Sequence, residues 1–281
     1  MTEQTTLING EVDTVISPRD RGLAYGDGVF RTLRCQAGRV LAWPRQYARL
    51  QADCDRLGMV CPDEALWLAD LARLAPWDAS IKLIVTRGVA ARGYACAPDA
   101  PPTRLVLVGP LPAYPEALYR DGAAIRLCDW LLPIQPGLAG VKHLNRLDQV
   151  MARREWSDPA IFEGLMRNAR GELVEGVMSN LYLLQDGCLL THPLTDCGVA
   201  GVMREMVLQL ATELGLPTVL RSFDADVMLG AEAVLLSNSL VGVVPVGRCG
   251  QRLWQDFSLA AQLNRRINSL CLEESRLCLP V

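Results

Sequence analysis

The sequence predicts an α/β protein of two domains. Three observations carry that reading: short apolar strands alternate with amphipathic helices over the first hundred residues; three prolines crowd Gly109-Pro110-Leu111-Pro112-Ala113-Tyr114-Pro115; and strand patterns dominate the remainder of the chain. A length of 281 residues allows one large domain or two smaller ones. The proline-rich stretch favours two, over residues 1–112 and 120–281, joined by a linker at 113–119.

The elements follow in order. Leu7-Ile8 and residues 29–35 read as strands, as do 39–43 after a turn at Gly38. A helix is expected over 44–57, opened by Pro44 and closed by Gly58, where a left-handed residue ends a helix. Pro62 opens a second helix to about residue 75. Strands over 81–86 and 104–108 flank a loop rich in Gly, Ala and Pro, 88–102. Residues 124–128, 160–166 and 180–184 are expected to be extended. Asp186-Gly187 is a hairpin signal between two apolar runs, because both residues tolerate positive φ. Helices close the chain over 201–214 and 259–272. Repeats and low-complexity tracts are absent.

Half of the residues are hydrophobic, 21% are charged and the net charge is -3. That balance supplies a core and makes no case for nucleic acid or an anionic membrane. MTEQTTLING carries no basic region followed by an apolar run, and no apolar stretch approaches the roughly 20 residues of a membrane span. A cytoplasmic protein is expected. Ten cysteines, at 35, 54, 61, 96, 128, 188, 197, 249, 271 and 278, form neither CxxC nor a Cys/His cluster. Cys54 falls on a helical stripe with Tyr47, Leu50 and Leu57, which reads as a structural thiol. With only His143 and His192 in the chain, no metal centre is expected.

One compositional fact bears on chemistry. Of 28 basic residues only two are lysines, Lys82 and Lys142. Arginine cannot replace lysine where an amine must lose its proton and attack a carbonyl. Lys82 sits in the alternating run Ser80-Ile81-Lys82-Leu83-Ile84-Val85 and reads as a solvated strand lysine. Lys142 follows Gly137-Leu138-Ala139-Gly140-Val141 and reads as the opening of a helix. That is a poor place for a cation, since the helix N-terminus is the positive end. Gly198-Val199-Ala200-Gly201-Val202-Met203-Arg204 leads into a helix whose first N–H groups suit an anion. Taken singly, that glycine-rich start reads as a turn, Glu175 as a solvated carboxylate, Arg49 as a helix-face arginine and Asp27 as a turn residue.

As a set they do not read that way. Tyr25-Gly26-Asp27-Gly28-Val29-Phe30, Arg49-Leu50, Lys142-His143-Leu144-Asn145-Arg146-Leu147-Asp148-Gln149-Val150, Val174-Glu175-Gly176 with Asn180-Leu181, and Gly201-Val202-Met203-Arg204 stand in the order found in fold-type IV pyridoxal 5′-phosphate (PLP) enzymes, which the chain resembles over nearly its whole length. That class includes branched-chain and D-amino-acid transaminases and aminodeoxychorismate lyase. The run after Lys142, together with Arg92-Gly93-Tyr94, is similar to the lyase branch.

The resemblance implies an N-terminal α/β sandwich, a strand-rich C-terminal pseudo-barrel and an active site between domains. It implies Lys142 as the imine lysine and proton-shuttling base, and Glu175 on the pyridine nitrogen. It implies Arg49, the backbone of Val202 and Met203, and Ser239 on the phosphate. Arg31, Arg92 and Tyr94 are candidates for the two carboxylates of 4-amino-4-deoxychorismate. Related transaminases commonly have Glu where this chain has Arg31, and many relatives have His where it has Gln46. A lyase yielding 4-aminobenzoate and pyruvate for folate biosynthesis is expected. The alternatives are a transaminase using the same Lys142, Glu175 and Arg49, and a non-catalytic PLP carrier, which would need neither electron sink nor base. The resemblance also implies a homodimer in which a loop near Arg92 reaches the partner's site.

Overall fold

Alternation of buried and half-buried side chains builds the first sheet. The computed structural model describes residues 5–12, 15–95 and 99–278, so Cys96 lies outside the described residues. β1 (Thr5–Ile8) and β2 (Glu11–Val12) pair antiparallel as a hairpin. α1 (Arg21–Tyr25) is capped by the Asp20 side chain, which accepts the Gly22 N–H, and ends at Gly26 with φ 66°. β3 (Gly28–Gln36) turns Val29, Arg31, Leu33 and Cys35 to one buried face. β4 (Arg39–Val40), α2 (Trp43–Arg56), α3 (Glu64–Leu74), β5 (Ala79–Thr86) and β6 (Thr103–Pro110) follow. The strands lie antiparallel in the order β4-β3-β5-β6-β1-β2. Trp43, Leu50 and Cys54 of α2 and Trp67 and Leu71 of α3 join Leu33, Ile81, Leu83 and Val106 in one core.

The strand expected over 39–43 stops at Val40, because Ala42 takes φ 50° and turns the chain into α2. α3 starts at Glu64, two residues after Pro62.

The second unit is built on a mixed sheet. Its elements are α4 (Glu116–Arg120), β7 (Ala123–Leu132), α5 (Leu147–Arg153), β8 (Ile161–Asn168), β9 (Leu173–Gly176), β10 (Asn180–Gln185), β11 (Cys188–Thr191), α6 (Val202–Glu213), β12 (Thr218–Leu220), α7 (Ala225–Gly230), β13 (Ala233–Asn238), β14 (Gly242–Cys249), β15 (Arg252–Leu253) and α8 (Ser258–Glu273). The expected hairpin joins β10 to β11, with Asp186 at φ 51° and Gly187 at φ 68°, the left-handed pair that a two-residue turn between twisted strands requires. The strand order is β12-β11-β10-β13-β14-β7-β8-β9, and β9 returns to β10 through Glu175 opposite Asn180. Six strands therefore close on one another into a barrel-like sheet around Leu165, Leu181, Leu183, Leu236, Val244 and Val246.

Two compact units result. One comprises Met1–Pro112, Val141–Asn145 and Leu270–Val281; the other comprises Ala113–Gly140 and Arg146–Ser269. Two pieces of the expected domain 120–281 thus belong with the first unit. The tail strand β16 (Arg276–Leu277) pairs with β4 as a seventh strand, and His143 bridges Val29 of β3. The expected linker 113–119 already holds the start of α4. Among the described residues no helix is long and apolar enough to cross a membrane, and the nine described cysteines form no disulfide.

Candidate active site

In the first unit the chemistry gathers at the open edge of β3. β4 pairs only with Cys35 and Gln36, which leaves the Gly28–Phe30 end of that edge without a strand partner. The 142–144 segment occupies it. The Phe30 N–H donates to the Lys142 carbonyl at 3.0 Å, and the Leu144 N–H donates to the Gly28 carbonyl at 2.9 Å. Lys142 therefore lies in extended chain and does not open a helix; α5 begins only at Leu147. The edge of β3 satisfies backbone groups that the sequence pattern assigned to a helical turn.

The Lys142 Nζ stands 4.7 Å from the centroid of the Phe30 ring, within cation–π range. The Lys82 Nζ stands 4.7 Å from the same centroid. Lys82 is half-buried, not solvated as its strand pattern suggested, and burial pulls its pKa below the usual lysine value. Both lysines of the chain thus face one aromatic ring.

Behind them, Arg31 and Asp53 form a buried ion pair, with 2% and 3% of their surfaces exposed. Arg31, a candidate for a substrate carboxylate in the sequence, is buried and engaged by Asp53. It occupies the core-facing register of β3 between Val29 and Leu33. Burial works against both charges, pulling Arg31 down to about 10 and pushing Asp53 up, and their pairing opposes both shifts. The Asp53 Oδ2 also accepts the Lys142 N–H at 3.2 Å. Arg49, half-buried one helical turn before Asp53 on α2, adds to the positive field at that carboxylate.

Asp27 accepts the Nε–H of Arg21 at 2.8 Å and that of Arg87 at 2.9 Å. Burial works to raise its pKa, but the two guanidiniums prevail and hold it below the usual carboxylate range. Arg21 also donates to the carbonyls of Gly93 and Tyr94 at 2.8 and 3.0 Å, anchoring the loop that carries Arg92 and Tyr94. Both of these side chains are exposed, Tyr94 by 85%.

In the second unit, Glu175 sits where β9 closes on β10, and it is 3% exposed rather than solvated. Its Oε2 accepts the Val199 N–H at 2.7 Å, which fixes the carboxylate against the glycine-rich segment before α6. Asn180 straddles that segment, donating to the Val199 carbonyl at 2.7 Å and accepting the Gly201 N–H at 3.2 Å. A Cβ on Gly201 would collide with the Asn180 side-chain oxygen, so a larger residue there would displace the Asn180 amide from its bonds to this segment. Val202 and Met203 open α6, and no side chain caps its N-terminus. Ser239 lies in the turn after β13, half-buried.

Glu163 on β8 is fully buried, and sequence reading did not single it out. Its Oε2 accepts the Ser179 hydroxyl at 2.7 Å and the Met178 N–H at 3.2 Å, so it grips the turn that follows Glu175. Burial pushes its pKa up to about 7 against those hydrogen bonds.

Residues 28–249 match the amino-transferase class IV family, and the chain belongs to that family. Within it the chain is similar to proteins of two activities. It is 33% identical over 241 residues to aminodeoxychorismate lyase of Vibrio harveyi, covering 85% of this chain and 89% of that one. It is 28% identical over 252 residues to D-alanine aminotransferase of Bacillus licheniformis, covering 85% and 86%. Among solved structures, 4-amino-4-deoxychorismate lyase from Pseudomonas aeruginosa superposes with a TM-score of 0.89 at 42% identity, covering 94% of this chain and 98% of that one.

Proposed function

We propose that the protein is a PLP-dependent lyase that converts 4-amino-4-deoxychorismate to 4-aminobenzoate and pyruvate, the step that supplies 4-aminobenzoate for folate biosynthesis. The likeness to the Pseudomonas aeruginosa lyase, which runs over nearly the whole of both chains, carries this reading.

The donor set fits the cofactor. Lys142 offers an amine beside an aromatic ring, Glu175 a buried and oriented carboxylate, and α6 an N-terminus without a side-chain cap. When bound, PLP supplies an aldehyde for an amine and a ring that accepts the electrons left by a broken C–H bond.

The residues divide the remaining work. Lys142 would hold the cofactor through its side-chain amine and would yield that place to the amine of the substrate. Once free, it takes the proton from the amine-bearing ring carbon of the substrate and returns one to the departing three-carbon fragment. Glu175 would face the cofactor ring nitrogen, where its negative charge would favour a bound proton. Arg49 would hold the phosphate, with the N–H groups of Val202 and Met203 and the Ser239 hydroxyl as further donors. Lys82 brings a second cation to the Phe30 ring, suited to a substrate carboxylate. Arg92 and Tyr94 stand on an exposed loop, which supports a homodimer in which they reach the partner's site. The expected compartment is the cytoplasm.

Because the family also contains aminotransferases, transamination by the same Lys142 is the second reading. One experiment separates them. The purified protein is offered aminodeoxychorismate, then amino acids with a keto acid. Pyruvate and 4-aminobenzoate from the first, with negligible transamination, support the lyase; the reverse makes the protein a transaminase.

A further inference from the structure

We propose that Asp53, held in place by Arg31, is the positioning residue of the reactive lysine: its carboxylate grips the Lys142 backbone amide and fixes where the Lys142 amine is delivered. This rests on the reading of Lys142 as the cofactor lysine.

The argument begins with two charges in core positions. Arg31 follows the two-residue period of Val29, Leu33 and Cys35 on the buried face of β3. Asp53 lies on the buried stripe of α2 with Trp43, Gln46, Leu50 and Cys54. A buried ion pair stabilises a fold little better than apolar residues of the same volume. The Arg31 Nε is moreover buried without a hydrogen-bond partner. Stability therefore gives a poor account of the pair.

Geometry gives a better one. The same Asp53 oxygen that accepts from the Arg31 Nη2 accepts the Lys142 N–H. On the other side of that residue, the Lys142 carbonyl accepts the Phe30 N–H. Both polar groups of the lysine backbone are thus held, one by a helix and one by a strand. Arg49 stands one turn away from Asp53 on the same helix. α2 therefore ties the phosphate arginine to the amine that must meet the cofactor aldehyde. The charged groups around Asp53 are Arg31 and Arg49, with the Cys54 thiol beside them.

The test compares two double variants with wild type. Arg31→Met with Asp53→Asn removes the charges and keeps an oxygen for the Lys142 N–H; Arg31→Met with Asp53→Leu removes both. The readouts are thermal unfolding without cofactor, PLP affinity, and the pH midpoint of the visible band from lysine-bound cofactor. The first variant, which keeps the oxygen but loses the Arg31 anchor, should shift the midpoint by less than the second. The second should unfold near the wild-type temperature, bind PLP about tenfold more weakly and shift the midpoint by about one pH unit. A wild-type midpoint and affinity in the second variant would overturn the proposal and leave the pair as packing. Should that variant not fold, hydrogen exchange at the Lys142 amide of the wild-type protein decides: slow exchange supports the contact and fast exchange overturns it. A wild-type protein without a visible band would sink the cofactor reading instead, and the exchange measurement would still report on Asp53.

Discussion

Lys82 and Lys142 place their Nζ atoms at the same 4.7 Å from the centroid of the Phe30 ring, so the two amines are no more than twice that distance apart. A chain that otherwise uses arginine keeps both of its lysines at one ring. Burial pulls the pKa of the Lys82 amine below the usual lysine value.

Lys82→Met should therefore weaken the enzyme without removing the cofactor. A substrate with two carboxylates loses a cation, and KM for aminodeoxychorismate should rise about tenfold or more. The visible band should persist. Steady-state kinetics beside an absorbance spectrum check this, and an unchanged KM would show that Lys82 serves only the strand.

Lys142→Ala should abolish the visible band along with activity, since the lysine-bound cofactor needs that amine. Glu175→Gln should keep the cofactor bound, while turnover falls by about two orders of magnitude or more, because a neutral amide no longer favours a protonated ring nitrogen. Single-turnover measurements on the loaded variant test the second statement. Near-normal turnover removes Glu175 from the mechanism.

Glu163 should make stability depend on pH. Its pKa is about 7 in the folded state against an ordinary 4.5. The folded state therefore binds the proton more tightly than the unfolded state. The contribution is complete below about pH 4.5 and is lost as pH rises through 7, about 3 kcal/mol in all. His192 runs the other way, because burial lowers its pKa and its contribution is lost as pH falls. The difference between wild type and Glu163→Gln isolates the carboxyl. The gap in unfolding free energy should change between pH 5 and pH 8, and a constant gap would contradict the assignment.

Asp27→Ala should loosen the loop that carries Arg92 and Tyr94. Without the carboxylate, Arg21 and Arg87 are left as like charges with a shared partner missing, at a cost of about 2 kcal/mol. Arg21 then holds the Gly93 and Tyr94 carbonyls less firmly. Limited proteolysis should cut within this loop faster in the variant, and KM should rise more than kcat falls. Equal cleavage rates would mean that the loop is anchored elsewhere.

Some of this was legible in the chain as written. The scarcity of lysine singled out Lys142, and the Asp186-Gly187 turn announced its hairpin because positive φ is a local property. α2 ends near its expected bounds at Gly58 for the same reason. The buried pair left a signal that went unread: Arg31 stands between Val29 and Leu33 at the strand period, and Asp53 falls on the stripe of Leu50 and Cys54. Two charges in core registers call for each other, but periodicity does not say which helix covers which strand.

Lys82 shows the limit most clearly. Alternation puts it on the face away from the core, and that face is solvent in most half-buried strands. Here its neighbours across the sheet are Phe30 and Thr32, and the ring it meets also faces Lys142, sixty residues further along the chain. Likewise the sequence placed Lys142 in a helix start, since nothing local reveals that β3 has an open edge.

By itself the sequence determined the class of chemistry: one amine suited to a carbonyl, a carboxylate, an arginine and a glycine-rich helix start, in a recognisable order. Only the tertiary structure decided what those groups are held by. The closure of β9 on β10 orients Glu175, and Asp53 accepts the lysine amide. Both depend on segments far apart in the chain, and burial, which sets the strength of their charges, exists only once those segments have packed.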